Sequence, residues 1–180
     1  MGTYIVIAVT AALLVYVLVS YNSLVNLRNR VREAFATMDV YLKKRWDLIP
    51  NIVETVKGYA KHEKETLESV VNLRNSSYDK MGQDDKIAAD GQITGALSKL
   101  MALAESYPDL KANQNFMQLS TELSKVEEDI ANSRKYYNAV VRNYNNAVQM
   151  FPSNLVSAIF GFKEMAMFET AERENVKVQF

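Results

Sequence analysis

The single histidine of the chain lies beside a glutamate, at His62-Glu63, where metal chemistry would be easiest to build. The zinc-protease motif His-Glu-x-x-His needs a second histidine four residues after the first, and that position is Thr66. A ferritin-like di-iron site needs two Glu-x-x-His pairs, which one histidine cannot supply. We therefore predict no catalytic or metal-binding role for His62. A metal-dependent sensor or enzyme that uses His62 and scattered carboxylates is the alternative.

A second group of candidate ligands is the acidic stretch that contains Asp84, Asp85 and Asp90. An EF-hand needs alternating oxygen ligands ahead of its glycine, but apolar side chains occupy residues 87–89 before Gly91. The chain has no cysteine, which excludes disulfides, thiol catalysis and zinc-thiolate sites. Its six glycines are scattered, so no phosphate-binding loop is formed. These observations predict a protein that is not an enzyme and carries no cofactor.

Arg45 is the polar residue whose position is least expected. It lies on an apolar helical stripe, seven residues after Met38 and seven before Ile52. Because a buried arginine is costly without an acidic partner, we expect a carboxylate from a later helix to pair with it. The candidates are Glu127, Glu128 and Asp129. Alternatively, Arg45 extends outward beside Trp46; in either case we predict a role in packing or partner contact.

Two groups of aromatic residues are further candidates for structural or partner contacts. Tyr137 and Tyr144 lie seven residues apart at predicted core positions of a helix, which favours packing over a binding surface. Phe160 and Phe162 belong to an aromatic and methionine-rich segment near the C-terminus. If that segment is not buried, it would form an exposed apolar patch of the kind that marks an interaction site.

The N-terminus is the most apolar part of the chain. Residues 3–20 (TYIVIAVTAALLVYVLVS) carry no charge, and no charged side chain occurs before Arg28. As a helix they are roughly 27 Å long, close to the hydrocarbon thickness of a bilayer. We predict a transmembrane anchor over residues 1–21 and a helical bundle domain over 22–180, joined by one nearly continuous helix because no helix breaker separates them before Pro50. The residues expected to contact lipid are Tyr4, Ile5, Val9, Leu13, Leu14, Val17, Leu18 and Tyr21.

A cleaved signal peptide is the main alternative for this segment. It would need Lys or Arg before the apolar run and small residues at a cleavage site, and neither is present. Arg28, Arg30 and Arg32 follow the segment closely, and positive residues favour the cytoplasmic side. We therefore predict a single-pass protein of the cell membrane, with its N-terminus outside and its domain in the cytoplasm.

Apolar residues at helical spacing predict an all-α domain. We expect helices over about residues 22–76, 85–105, 109–150 and 154–170, with a bend at Pro50 and an N-cap at Asp84. The third helix has an apolar heptad pattern typical of coiled-coil packing. One series, seven residues apart, is Phe116, Leu123, Ile130, Tyr137, Tyr144 and Phe151, and its companion series is Leu119, Val126, Ser133, Val140 and Ala147. Short connections between these helices predict an elongated, up-and-down four-helix bundle. The last ten residues alternate apolar and polar at their end, so an extended conformation of this segment is left as an alternative.

Several short motifs occur in a fixed order behind the apolar segment. They are residues 21–25 (YNSLV), 42–51 (LKKRWDLIPN), 53–60 (VETVKGYA), 62–63 (HE), 144–145 (YN), 151–153 (FPS) and 160–162 (FGF). This set resembles the LemA family over nearly the whole chain, most specifically through residues 45–63. The resemblance implies a membrane-anchored four-helix bundle and brings no catalytic residues. Trp46 stands where many members have a smaller or charged residue, which bears on local packing.

The sequence favours a non-enzymatic scaffold or adaptor that acts at the membrane through protein contacts. Its expected partners are membrane lipid and one or more proteins, and self-association through the heptad faces stays open. Nucleic acid is not expected, because 21 basic and 21 acidic residues balance. Remodelling of the membrane by the bundle itself is a further alternative.

Overall fold

The computed structural model describes residues 1–60, 62–74 and 78–168, in which every regular element is helical. The longest is α1, which runs from Gly2 to Tyr59 over 58 residues. No glycine or proline occurs between residues 3 and 49, so nothing in the sequence ends the helix where the apolar segment meets the polar domain. The predicted anchor and the first helix of the bundle are therefore one element.

The two parts of α1 differ in what surrounds them. Every side chain from residue 1 to 16 is exposed, and the most apolar window of the helix has no buried residue. Among the described residues, α1 is the one helix long and apolar enough to cross a membrane. From Leu24 onward, by contrast, one stripe of the helix is buried in the bundle. This division supports a membrane location for the N-terminal part.

Five shorter helices follow α1, together with a 3-10 turn at Tyr78–Lys80. They are α2 (Lys64–Arg74), α3 (Gln83–Glu105), α4 (Pro108–Lys111), α5 (Gln114–Gln149) and α6 (Ser153–Phe160). The most extensive packing is between α1 and α5; α2 packs on α3, and α6 contacts both α5 and α1. The all-α prediction is confirmed, but these described helices number six rather than the predicted four, and α4 and α6 are short.

The first predicted helix is wrong at its C-terminal end. The expected helix over 22–76 stops at Tyr59, where the Ala60 N–H donates to the Val56 carbonyl, and α2 begins at Lys64. Leu67 and Val70 are buried, because α2 turns back and packs on α1. The turn preserves the apolar spacing, so periodicity alone does not reveal it. The predicted end at residues 75–77 lies outside the described residues.

Pro50 lies inside α1, which continues through it, and the bend predicted there stays a prediction.

The start of α3 differs by two residues from the predicted one. Its N-cap is Gly82 rather than Asp84, and the Gly82 N–H donates to the Asp85 carboxylate at 3.2 Å. The predicted 109–150 helix is divided, because the Asn113 side chain accepts the Phe116 N–H and caps a new helix there.

The fourth predicted helix, 154–170, ends ten residues early. Gly161 takes a left-handed conformation (φ 71°), and the Phe162 N–H donates to the Ser157 carbonyl at 2.9 Å. Glycine adopts this conformation without strain and so terminates α6. Residues 162–168 then continue without helix, a segment that we call the strap. The extended end left open for the last ten residues lies outside the described residues.

The heptad series of α5 is buried along most of its length. Its core members are Phe116, Leu123, Ile130, Tyr137 and Tyr144. In the companion series, Val141 and Val148 are buried, whereas the predicted Val140 and Ala147 are only partly covered. A straight helix of 3.6 residues per turn drifts against a seven-residue repeat, which explains the one-residue shift. Phe151, the last predicted member, is exposed because α5 ends before it.

The continuity of α1 predicts a rigid junction between the membrane segment and the bundle. Cysteines introduced at the exposed positions Leu13 and Glu33 and carrying spin labels should give one narrow distance distribution near 30 Å, from about 1.5 Å per residue. Pulsed electron spin resonance on the full chain in nanodiscs measures it. A Glu33–Asp47 pair within the bundle portion is the control. A test distribution much broader than the control, or with two maxima, contradicts the rigid junction.

Candidate functional site

The centre of the bundle holds an ion pair between α1 and α3. Nη2 of Arg45 lies 2.5 Å from Oδ1 of Asp90, and the two side chains are 1% and 4% exposed. The other carboxylate oxygen of Asp90 accepts a hydrogen bond from Arg134 of α5. Asp90 therefore bridges two arginines on different helices. Such a site is stable only because each buried charge faces an opposite one.

Two further groups complete the surroundings of Arg45. Its Nη1 donates to the Thr94 hydroxyl at 2.9 Å and to Glu127 Oε1 at 3.2 Å. The Thr94 hydroxyl in turn donates to the Asp90 carbonyl at 3.0 Å. Two cations and two anions thus balance across three helices. We call Arg45, Asp90, Thr94, Glu127 and Arg134 the ion cluster.

The sequence identified part of this cluster. Glu127 is one of the three carboxylates expected beside Arg45, and the structure places it there. Asp90 was missed as a partner, since it was considered only as a calcium ligand. A usable signal was present, because Asp90 lies three residues before Ile93 and seven before Leu97, both buried. It is an acidic residue on an apolar stripe, as Arg45 is a basic one.

A second polar cluster lies beside the first and contains Trp46. The Tyr78 hydroxyl donates to Asp39 at 2.5 Å, and Lys86 Nζ lies 2.8 Å from the same carboxylate. The Lys86 ammonium also sits over the Tyr78 ring, which packs against Trp46 with ring centroids 5.3 Å apart. Burial, reinforced by the hydrogen bond to Asp39, raises the pKa of Tyr78 well above its usual value. Tyr78 therefore stays protonated and is no general base at neutral pH.

The strap is held against α5 by two tyrosines. Tyr137 donates its hydroxyl to the Ala166 carbonyl at 2.9 Å, and Tyr144 donates to the Lys163 carbonyl at 2.8 Å. Both rings are buried, as the predicted core positions require. The rings of these two tyrosines therefore pack in the core, while their hydroxyls hold the strap.

Two asparagines beside these tyrosines each make a pair of hydrogen bonds to the strap backbone. Asn138 bonds the N–H and carbonyl of Phe168, and Asn145 bonds those of Met165, all at 2.9 Å. An asparagine amide carries an NH₂ donor and a carbonyl acceptor side by side, which matches the N–H and C=O of a single residue in the strap. Each Tyr-Asn pair of α5 is thus a backbone clamp.

The spacing of the two clamps fits the geometry of the two segments. Seven residues of α-helix rise roughly 10.5 Å, and three residues of extended chain span about 10 Å. The clamps lie seven residues apart on α5 and hold strap residues three apart, in antiparallel order. The heptad spacing predicts core positions for the two tyrosines, but it does not predict the hydrogen bonds that Asn138 and Asn145 make to the strap.

The predicted residues at the other end of the strap lie where the bundle meets the membrane segment. Phe162 is buried, 5.7 Å from the Tyr21 ring and with the Arg28 guanidinium 5.1 Å from its own ring centroid. Phe160 also packs on Tyr21, with ring centroids 4.9 Å apart, and stays half exposed. Of the anchor residues, Val17 also packs against the core, whereas Tyr4, Ile5, Val9, Leu13, Leu14 and Leu18 are exposed.

His62 lies exposed in the turn between α1 and α2. Within the described ranges, no three His, Asp or Glu side chains converge as a metal site. The ion cluster and the clamps therefore join structural elements by charge and hydrogen bonding.

Comparison with known proteins agrees with this architecture. Residues 34–180 match the model of the LemA family. The chain belongs to the LemA family. A LemA protein of Metamycoplasma hominis is 29% identical over 161 residues, covering 87% of this chain and 72% of the relative. The magnetosome protein MamQ of Magnetospirillum gryphiswaldense is 25% identical, covering 87% of this chain and 67% of the relative. The magnetosome protein MamQ 2 of Paramagnetospirillum magneticum is 24% identical, covering 88% of this chain and 68% of the relative.

Removing the bridging carboxylate of this LemA-family bundle should be more damaging than removing Arg45. Asp90→Asn leaves two arginines facing each other and should lower the free energy of unfolding by about 3–5 kcal/mol. Arg45→Met leaves Asp90 paired with Arg134, so a loss of about 1–3 kcal/mol is expected. Urea unfolding of the full chain in detergent measures both.

The surface pair Lys44–Glu122, 3.1 Å apart and partly exposed, is the matched control for this comparison. Glu122→Gln should cost about 1 kcal/mol or less. If Asp90→Asn were as mild as this control, or if Arg45→Met changed neither stability nor partner binding, a structural role for the ion cluster would be refuted.

The clamps predict slow hydrogen exchange in a segment without helix. The Met165 and Phe168 amides should be protected, and Asn145→Ala or Asn138→Ala should speed exchange at the matching amide about 3- to 10-fold, from roughly 0.5–1.5 kcal/mol per hydrogen bond. Asn143→Ala, an exposed change on the same helix, is the control. Equal exchange in all three variants would show that the clamps do not hold the strap.

Proposed function

We propose that the chain is a non-enzymatic, single-pass membrane protein whose helical bundle acts as a scaffold or adaptor through protein contacts. The observation that carries this proposal is the unbroken α1, which forms both the membrane segment and the spine of the bundle. A helix continuous across the boundary holds the bundle at a set height and rotation above the bilayer. A fixed platform suits presentation of surfaces to other proteins.

The use of the polar interior supports the same proposal. The ion cluster ties α1 to α3 and α5, and the pairing of Lys86 with Asp39 ties α3 to α1 again, so these polar side chains hold the helices together. The relatives named magnetosome proteins are named for a structure rather than for a reaction, which agrees with a role in contacts. A metal-dependent sensor or enzyme using His62 gains no support from the geometry around it.

A surface for such contacts lies between α1 and α5, on residues that the interior does not use. Shallow grooves there are lined by Asn51, Glu54, Met117, Gln118 and Glu122. Met117 is a half-exposed methionine, a flexible apolar side chain suited to partner surfaces. The tyrosines and Phe162, considered earlier as contact candidates, face inward to the strap and the core.

Site-specific photo-cross-linking in intact membranes tests the proposal. A photoreactive residue at Gln118 should capture a discrete protein, and one at the exposed Ser98 on α3 should not. Capture should persist with chelator present and in His62→Ala. An adduct of doubled mass would instead identify self-association as the contact.

Two outcomes would overturn the proposal. One is tightly held metal that survives dialysis and is lost in His62→Ala, which would indicate the metal-dependent alternative. The other is vesicle reshaping by the purified chain with no captured protein, which would indicate membrane remodelling.

For orientation, we propose an outside N-terminus and a cytoplasmic bundle, from Arg28, Arg30 and Arg32. Protease digestion of the bundle in sealed cells would reverse that assignment.

A further inference from the structure

An apolar surface remains uncovered at the end of the bundle nearest the membrane segment. Phe151 is 78% exposed and Ile159 75% exposed, and Met150, Leu155 and Phe160 are each at least half exposed. Leu155 and Ile159 are four residues apart on α6 and so lie on one face of the helix. Several large apolar side chains of one short helix and its preceding turn are thus exposed together, which soluble surfaces usually avoid.

The opposite face of α6 is already used. Val156 and Ser157 are buried, and the Ser157 hydroxyl donates to the Val148 carbonyl at 2.8 Å. The helix is therefore apolar both toward the bundle and away from it. A helix of that composition is found where both faces have apolar surroundings. On one face of α6 these surroundings are the bundle itself. On its other face, no described residue covers the helix.

The height of α6 along α1 shows what lies on that other side. The Phe160 ring is 4.9 Å from the Tyr21 ring, at the end of the apolar segment. Packing against the core reaches back to Ser20, which is buried, and Val17, which is partly covered. Residues 3–20 would occupy the hydrocarbon layer. The membrane end of the bundle thus reaches the level of the last turn of the span.

The charge pattern agrees with this height. Residues 143–162 contain no charged side chain, and this stretch is bounded by the exposed basic residues Arg142 and Lys163. An apolar face with basic residues at its margins is typical of helices that lie in the interface of a bilayer with anionic lipid.

We propose that α6 is a second membrane contact: it lies in the interface beside the span and inserts Phe151, Leu155 and Ile159 into the lipid. This contact would fix the tilt of the bundle, since a span and a surface helix together define a plane. The bilayer is favoured over a second copy of the chain as the occupant. The span holds the patch against lipid at every protein concentration, whereas a second copy has to be encountered.

Depth-dependent fluorescence quenching of the full chain tests the proposal. The chain has no native cysteine, so Ile159→Cys can carry a single environment-sensitive label, in vesicles of phosphatidylcholine and phosphatidylglycerol. Val40→Cys is the matched control. Val40 is 66% exposed, comparable to the 75% of Ile159, but it lies 19 residues beyond Tyr21 on α1. Leu13→Cys, within the span, marks full insertion. Both test and control sites are exposed, so the fold should tolerate them.

We expect lipids with a shallow nitroxide to quench the label at position 159 several times more strongly than the label at position 40. Deep nitroxides should quench position 13 more than position 159. Equal quenching at 159 and 40, repeated with Leu155→Cys, would overturn the proposal. A label at 159 that is shielded but unquenched, and that becomes exposed when the protein is diluted among vesicles, would assign the patch to a second copy and also overturn it. Neither result bears on capture of a protein at Gln118.

Discussion

The continuity of α1 is the constraint on which the rest of the structure depends. An α-helix fixes both the rise and the rotation between any two of its residues. Tyr21 at the membrane, Asp39 at the tyrosine–lysine cluster and Arg45 in the ion cluster therefore have set relative positions. The later elements assemble onto these points: α3 through Asp90 and Lys86, and α6 with the strap through Phe160 and Phe162 against Tyr21.

Buried charge has a specific use in such a bundle. The heptad face of α5 presents similar apolar side chains every seven residues, so an axial slip of that length would cost little in packing alone. The Arg45–Asp90–Arg134 bridge does not repeat, and a slip would leave its charges buried without partners. We propose that the ion cluster selects one register, while the pairing of its charges offsets the desolvation that their burial costs.

Periodicity predicted the all-helical class, the apolar anchor and most buried positions of α1 and α5, because these depend on local spacing. It also placed Arg45 on an apolar stripe, and one of the two alternatives it offered, burial against a carboxylate such as Glu127, is the one observed. It failed where the chain reverses without interrupting the spacing, as at Tyr59–Lys64, and where side chains bind backbone. The early end of α6 depends on the left-handed Gly161, and the strap depends on Asn138 and Asn145. Hydrophobic patterns carry no information about such bonds, although the repeated Tyr-Asn pair was a visible signal.

The match between helix and strap has a consequence for how the sequence can change in length. A single inserted residue in α5 between the clamps would rotate one clamp about 100° away from the strap. Seven inserted residues between the clamps would keep their rotation but would shift one end of α5 along α1. Preserving the clamps together with the contacts of Tyr21 and Arg45 would require about three more residues in the strap and about seven more in the facing part of α1. Insertions and deletions between the clamps are therefore coupled among α5, the strap and α1.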